Sequence, residues 1–537
     1  MTEGSSAWPA DDARSLQSKA ARGALWTVVH LAVSLPLGLV VNIVVARYLG
    51  VADVGRLAIL TLAVELTATV VNLGVINGVV QMGAKAQAAG RRDDVRALLS
   101  ASQGFRLLVT LPALVLVVTI AALVGGLPFV GWAWVVVFGV VLPEVTQGAA
   151  ACLGIENRTD RGAQLVLVTG LMAHAASLGV VAFEGSVWAL WAARIMVMGV
   201  IPVAALALIS TDYARAVLRP RSPRTFPPGF WHFALPMGAA TAVGSLVASR
   251  TEVFVLAGFG QDVAAGLYAL SFGLSVHIFA LAQALVGPLL PALSALREVS
   301  AGHALAAFDR TVRTIAVVAG VLVSSVVPGV AVLVPVIYGP SFAAAGAVVL
   351  ALGCIGGLNV LWGPLYAFTQ SRLAGRPLLR ATLLALVVDL IVVLAFARAF
   401  GVWAAVVASG LAALTQMVLL ARAELTDLGV PVRSFVRSSA ASWLAGPAAI
   451  CGWLASAPVE ALVGSAVQAT IHPAVVGAVA ATAVGAVVWV ALVRLVGAAL
   501  TIQDVAAVGR ALPGRLRPVL AAGLRPVTAR APEPAEG

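Results

Sequence analysis

Apolar stretches of helix-spanning length alternate with short loops along almost the whole chain, and the arginines collect in every second loop. A bilayer core about 30 Å thick takes roughly 20 helical residues to cross. The sequence supplies about fourteen such stretches. Hydrophobic residues make up 61% of the composition and charged residues 11%, with a mean hydropathy of +1.01. A soluble domain carries about 25% charged residues, and a soluble fold here would need a core far too large for its surface. The expected class is therefore an all-α polytopic membrane protein.

The net charge of +11 does not indicate nucleic-acid binding. Lysine occurs only at Lys19 and Lys85, so the excess is arginine in loops beside lipid. There it sets topology and meets anionic headgroups. Cys152, Cys354 and Cys451 each sit in an apolar stretch without CxxC or Cys/His spacing, so neither a disulfide framework nor a metal site is indicated. The six histidines are scattered, and no GxxxxGK[ST] loop occurs, which argues against ATP hydrolysis by this chain. No residues suited to covalent catalysis cluster, and the expectation is a non-enzyme with no cofactor. A polar start over residues 1–20 predicts a mobile tail rather than a cleavable leader.

Six spans are expected within 21–210, beginning with a pair at about 23–46 and 56–83 joined by the tight turn 49–53. Residues 211–228 form the longest central linker, where Pro220, Pro223, Pro227 and Pro228 interrupt helix. Six more spans are expected within 229–425 and two within 426–497, leaving 498–537 as a tail with a short surface helix near 501–511. With the N-terminus placed inside the cell, 28 of the 34 lysines and arginines fall on the cytoplasmic side. The excess of basic residues in cytoplasmic loops selects this orientation, and fourteen spans put both termini inside.

The two halves share a plan. ARYLGVADVGRLAIL at 46–60 aligns with AGFGQDVAAGLYALS at 257–271, matching Gly50 to Gly260 and Gly55 to Gly266. Each passage is a tight outer hairpin leading into a long apolar helix. Both follow a span that starts inside, so the repeat is parallel, a transporter plan. Two six-helix lobes in pseudo-twofold relation, plus a C-terminal pair, are expected.

Charges inside the spans are the sharpest site signal. A charged side chain near the bilayer centre costs about 2.5–3.5 kcal/mol on insertion scales, so each should face a partner or a wet cavity. The candidates are Glu65, Arg106, Glu144, Arg194, Arg250, Glu252 and Asp389, with Arg47 near an outer helix end. Glu65 or Glu144 could pair with Arg106 or Arg194. Such pairs can equally lock helices together, and arginines can snorkel to the headgroups. Glu252 lies near the outer end of its helix and is expected to reach water. The amides Asn42, Asn72 and Asn359 add a softer polar stripe, which also suits helix–helix adhesion. Pro36, Pro112, Pro143, Pro236 and Pro364 lie inside spans and are expected to kink them.

The residues carry a family likeness. GALWTVVHLAVSLPLGLVVNIVVARYLG and its continuation to NLG at 72–74 resemble the polysaccharide transporter, or O-antigen flippase, family. So do ALPMGAATAVGSLVASRTEVFVLAGFGQDVAAGLYALSFGL at 234–274 and the hairpin with Tyr338, Gly339 and Phe342 before Gly375-Arg376-Pro377. This family belongs to a superfamily that includes multidrug exporters and the lipid II flippase. The resemblance implies two six-helix lobes around a central cavity with alternating access. It also implies a lipid-linked oligosaccharide as substrate. The cavity would offer Arg47, Arg106, Arg194 and Arg250, with Asn42, Asn72 and Asn359, to an anionic head group, for which arginine is a strong partner. Coupling to a proton or sodium gradient through Glu65, Glu144 or Asp389 is left open. The expected setting is the plasma or inner membrane, as a monomer. Membrane lipids, glycosyltransferases and a polysaccharide polymerase are the expected partners. A multidrug or peptidoglycan-precursor transporter, or a non-transporting scaffold of cell-envelope synthesis, are the alternatives.

Overall fold

A computed structural model describes residues 10–126, 128–156, 158–248, 251–284, 301–371, 375–464 and 472–498, with 500, 501, 504, 505, 527 and 528 from the tail. These residues are almost entirely helical. Two compact units divide the chain at Met1–Ser249 and Arg250–Gly537. The linker 211–228 and the helix that follows it, Phe230–Ala248, pack within the first unit. The helix expected to open the second lobe thus packs within the first unit.

In the first unit α1 runs Ala10–Val71. Residues 10–20, expected to be a mobile tail, are its first turns. The Ala- and Lys-containing segment favours helix and simply extends the span. Gly50 interrupts α1 with φ 74° and ψ 176°, and its sequence counterpart Gly260 also has φ 74°. Both hairpin positions thus take a backbone geometry that glycine adopts without a Cβ clash. The remaining helices are α2 (Val75–Ala88), α3 (Arg92–Val124), α4 (Phe129–Ile155), α5 (Thr159–Ala182), α6 (Val187–Leu208), α7 (Thr211–Val217) and α8 (Phe230–Ala248).

In the second unit come α9 (Thr251–Gly258), α10 (Asp262–Ala284), α11 (Ala301–Val321), α12 (Val327–Tyr338) and α13 (Ala345–Ser371). Then follow α14 (Gly375–Phe400), α15 (Val402–Leu428), α16 (Val432–Trp443), α17 (Ala445–Gly464) and α18 (Pro473–Val496). The last pair belongs to this unit, with Trp489 Nε1 donating to Ala441 O at 2.7 Å.

Eleven described helices are long and apolar enough to cross a membrane, or twelve if α8 and α9 form one span. The chain is a multi-pass membrane protein. The expected fourteen differ because α1 holds two expected spans in one helical run broken at Gly50, and because α17 is not among the eleven. The surface is apolar: Leu116, Ile391 and Val487 are 60%, 62% and 68% exposed, as suits side chains solvated by lipid tails rather than water.

Three helices widen into a π turn, at Arg106–Thr110, Val135–Val141 and Leu322–Val326. Each ends two residues before a proline: Pro112, Pro143 and Pro328. Proline lacks the N–H and its ring crowds the carbonyl four residues back. A wider turn relieves that crowding without ending the helix.

The tail is tied back to the helices. Asp504 accepts from Arg313 at 2.9 Å and from the Thr501 backbone N–H at 3.0 Å, and Leu500 N donates to Val527 O at 2.8 Å. Asp504–Val505 is helical, within the surface helix expected near 501–511, whose residues from 506 onward lie outside the described residues.

Candidate functional site

Four of the buried charges form two pairs, one in each unit, while Glu424 on α15, which accepts from Thr369 Oγ1 at 2.9 Å, and Asp504 in the tail lie apart from them. In the first, the π turn of α3 carries Arg106, and Pro143, two residues past the π turn of α4, is followed at once by Glu144. Arg106 donates through one terminal nitrogen to Glu144 Oε2 at 3.1 Å. Both residues are buried, at 4% and 8% exposure. Gln103, one turn before Arg106, donates to the Glu144 backbone carbonyl at 2.7 Å. Two helices distorted by prolines are thus stitched together at their distortions. Charge in a low-dielectric setting is tolerated when it is paired and hydrogen-bonded, and this pair meets both conditions.

Arg194 lies on α6, one residue from Ile195, which packs on Gly139 of α4. Its Nε donates to Ser177 Oγ on α5 at 3.1 Å, and Ser177 in turn donates to Ala173 O at 2.8 Å. No acidic side chain pairs with Arg194 among the described residues. It stands seven residues into α6, so about 10 Å from that end at 1.5 Å per residue. That depth is inside the hydrocarbon layer of a span. Arg194 is thus a half-buried cation without a carboxylate partner among the described residues.

In the second unit four helices meet at a cluster of oxygens. Glu252 on α9 is buried at 3% exposure, which corrects the expectation that it reaches water. Tyr268 on α10 donates to Glu252 Oε1 at 2.7 Å, and Ser409 on α15 donates to the same oxygen at 2.5 Å. The two hydroxyls also touch each other. Asp389 on α14, equally buried, is a near neighbour of Glu252. Its Oδ1 has no hydrogen-bond partner among the described residues. Among the described residues, no basic side chain is paired with either carboxyl. Two carboxyls are thus neighbours in a setting shielded from water, where like charges repel strongly.

The other expected site residues are dispersed. Arg47 and Glu65 are exposed on α1, Asn42 is half-buried there, and Asn359 is exposed on α13. Asn72 accepts from the Ile76 backbone N–H at 3.1 Å, capping the start of α2. Arg250 lies outside the described residues. Among the described residues, no three potential ligands converge on a metal site. Sequence reasoning missed Tyr268, Ser409 and Ser177. Their partners come from other helices, and no linear spacing announces them.

The profile of the polysaccharide biosynthesis protein family matches residues 44–347, more than half of the chain. The chain belongs to this family. The match takes in both hairpin glycines, the Arg106–Glu144 pair, Arg194 and Glu252, and it stops before Asp389 and Ser409. Among curated proteins none matches in sequence. In fold the chain is similar to the lipid II flippase MurJ in an inward closed conformation. The identity is 12% and the TM-score 0.61, over 88% of this chain and 99% of that one. It is also similar to a multidrug resistance MATE family transporter of the MOP superfamily in an inward-facing conformation. There the identity is 15% and the TM-score 0.50, over 75% and 99% of the two chains. The family member therefore has the fold seen in these transporters.

Proposed function

We propose that the chain is a flippase that carries a lipid-linked oligosaccharide or polysaccharide intermediate from the inner to the outer leaflet of the cell membrane. The observation that carries this reading is membership of the polysaccharide biosynthesis family by a multi-pass membrane chain. Sugars do not cross hydrocarbon unaided, since each buried hydroxyl without a hydrogen bond costs several kcal/mol (roughly 2–7). A protein path for the polar head, with the lipid tail left in the bilayer, removes that cost. The cycle is alternating access by fourteen crossings, with both termini in the cytoplasm.

Arg194 is assigned to the anionic head group of the substrate. Its guanidinium keeps donors to spare after its bond to Ser177. Arg47, Arg250, Asn42, Asn72 and Asn359 are assigned to the same path. Arg106 and Glu144 are left out of the transport roles because each already neutralises the other. The Glu252–Asp389 cluster is assigned to coupling: it takes up a proton or a sodium ion on one side of the membrane and releases it on the other. Glu65 is the alternative coupling carboxylate. An uncompensated arginine within a span disfavours an organic-cation exporter, whose cargo it would repel.

The expected outcome of Arg194→Gln is a fall in lipid-linked glycan transport of at least tenfold at unchanged membrane abundance, with Arg194→Lys keeping part of the rate. Transport in reconstituted vesicles, normalised to protein, is the measurement. Full transport by the Gln protein would remove Arg194 from the substrate path.

A further inference from the structure

The buried apolar residues of the first unit form two separate cores. One holds Val41, Leu57, Leu114, Val136 and Trp191 and lies toward the hairpin at Gly50. The other holds Val79, Leu99, Cys152, Tyr213 and Phe230 and lies toward the linker 211–228.

Four helical passages run from one core into the other, and each is irregular where it changes core. Between α1 and α2, Leu60 belongs to the hairpin-side core and Val75 to the linker-side core. Leu73 and Gly74, between them, take left-handed φ values of 48° and 75°. That conformation is strained for leucine. In α3 the change falls between Phe105 and Leu114, across the π turn Arg106–Thr110 and Pro112. In α4 it falls between Val140 and Ala149, where Pro143 stands and the helix is interrupted at Gln147. In α6 it falls between Ala192 and Ala205, where the helix breaks at Gly199 and Pro202 follows.

These irregularities meet one another. Arg106 and Gln103 of α3 bind Glu144 of α4. A Cβ on Gly199 of α6 would stand 2.6 Å from the ring of Pro143 in α4. Gly74 is pressed against the backbone of α8, where the Ala234 carbonyl leaves no room for a Cβ. The boundary between the cores is polar as well as irregular. Gln103, Arg106, Thr110, Glu144 and Thr146 are all buried there. Gln103 Oε1 and Thr110 Oγ1 have no hydrogen-bond partner among the described residues. Close-packed apolar interiors resist deformation. A helix whose hydrogen-bond ladder is already interrupted has few further bonds to lose on bending. Helix α5 runs without a break from Leu165, against the linker-side core, to Val180, against the hairpin-side core, and joins the two halves.

We propose that this layer is a hinge within the first unit, at which the linker-side half bends against the hairpin-side half with α5 as the unbroken strut. Each half moves as a body because its own core is continuous. The unit changes shape internally, whatever the cargo, besides any movement it makes as a whole.

The test uses the full-length protein in lipid nanodiscs, with Cys152, Cys354 and Cys451 replaced by alanine and spin labels on introduced cysteine pairs. Phe129→Cys with Phe183→Cys, and Arg91→Cys with Arg215→Cys, each lie within one half. Phe129→Cys with Leu218→Cys, and Phe183→Cys with Arg91→Cys, span the layer. All these positions are exposed. The distance distributions of the spanning pairs are expected to be at least twice as wide as those within a half. P112A/P143A/P202A restores the missing backbone donors and relieves the ring clashes. It should narrow the spanning distributions at least twofold and leave the others unchanged. Spanning distributions as narrow as those within a half would overturn the proposal. So would equal breadth in all four pairs, which means a unit loose throughout, or spanning widths unchanged in the folded triple variant. If the triple variant does not fold, P112A and P143A are measured singly, and narrowing in neither contradicts the hinge.

Discussion

Asp389→Asn is expected to leave the protein folded and to abolish gradient-driven transport. The Asp389 carboxyl is buried beside Glu252 with no basic partner among the described residues, so its charge does not hold the second unit together. Replacing it with an amide removes a like-charge repulsion and supplies a donor for Glu252. Thermal stability should stay the same or rise slightly. Transport that depends on proton or sodium uptake at this cluster should fall at least a hundredfold, while counterflow of substrate without a gradient persists. Glu252→Gln should do the same, because Tyr268 and Ser409 hold that carboxylate in place. Proteoliposomes under an imposed proton gradient, then an imposed sodium gradient, distinguish the two ions. A variant that keeps full gradient-driven transport with both positions neutralised would exclude this cluster from coupling.

Arg106→Met should behave in the opposite way and destabilise the first unit by about 3–5 kcal/mol, the usual cost of leaving a buried charge without its partner. Glu144→Met should cost a similar amount, leaving the buried guanidinium alone. The double variant is expected to recover much of the loss, because two apolar side chains of similar size replace the pair without stranding a charge. Chemical unfolding of the three variants in detergent measures this. Additive losses in the double variant would mean that Arg106 and Glu144 act independently, against the 3.1 Å contact between them. The contrast with Asp389 separates a structural charge pair from a functional one by experiment.

Hydropathy and arginine placement made the membrane class legible, because a span must be apolar over a fixed length whatever it packs against. Gly50 and Gly260 were also legible, since a tight hairpin between long helices calls for a residue that tolerates positive φ. Arg106 and Glu144 could be nominated as partners from their opposite signs in adjacent helices. The sequence did not reveal that Arg106 opens one π turn and Glu144 closely follows another, although Pro112 and Pro143 were the cause. Glu252 was misjudged for a tertiary reason. Its place near a helix end suggested water, but α10, α14 and α15 converge on that end and bury it. The first turns of α1 and the anchoring of Asp504 were hidden for a similar reason: a polar, uneven segment reads as tail until a partner such as Arg313 is known.

The most direct test of the account is leaflet exchange of a defined lipid-linked oligosaccharide in vesicles holding the purified full-length protein. The glycan exposed on the outer surface is measured by a membrane-impermeant lectin or enzyme over time. The account predicts protein-dependent exchange that is accelerated by a cation gradient, lost in Arg194→Gln, and freed from the gradient in Asp389→Asn. Absence of exchange with every lipid-linked glycan offered, alongside gradient-driven export of a water-soluble organic cation by the same preparation, would contradict it.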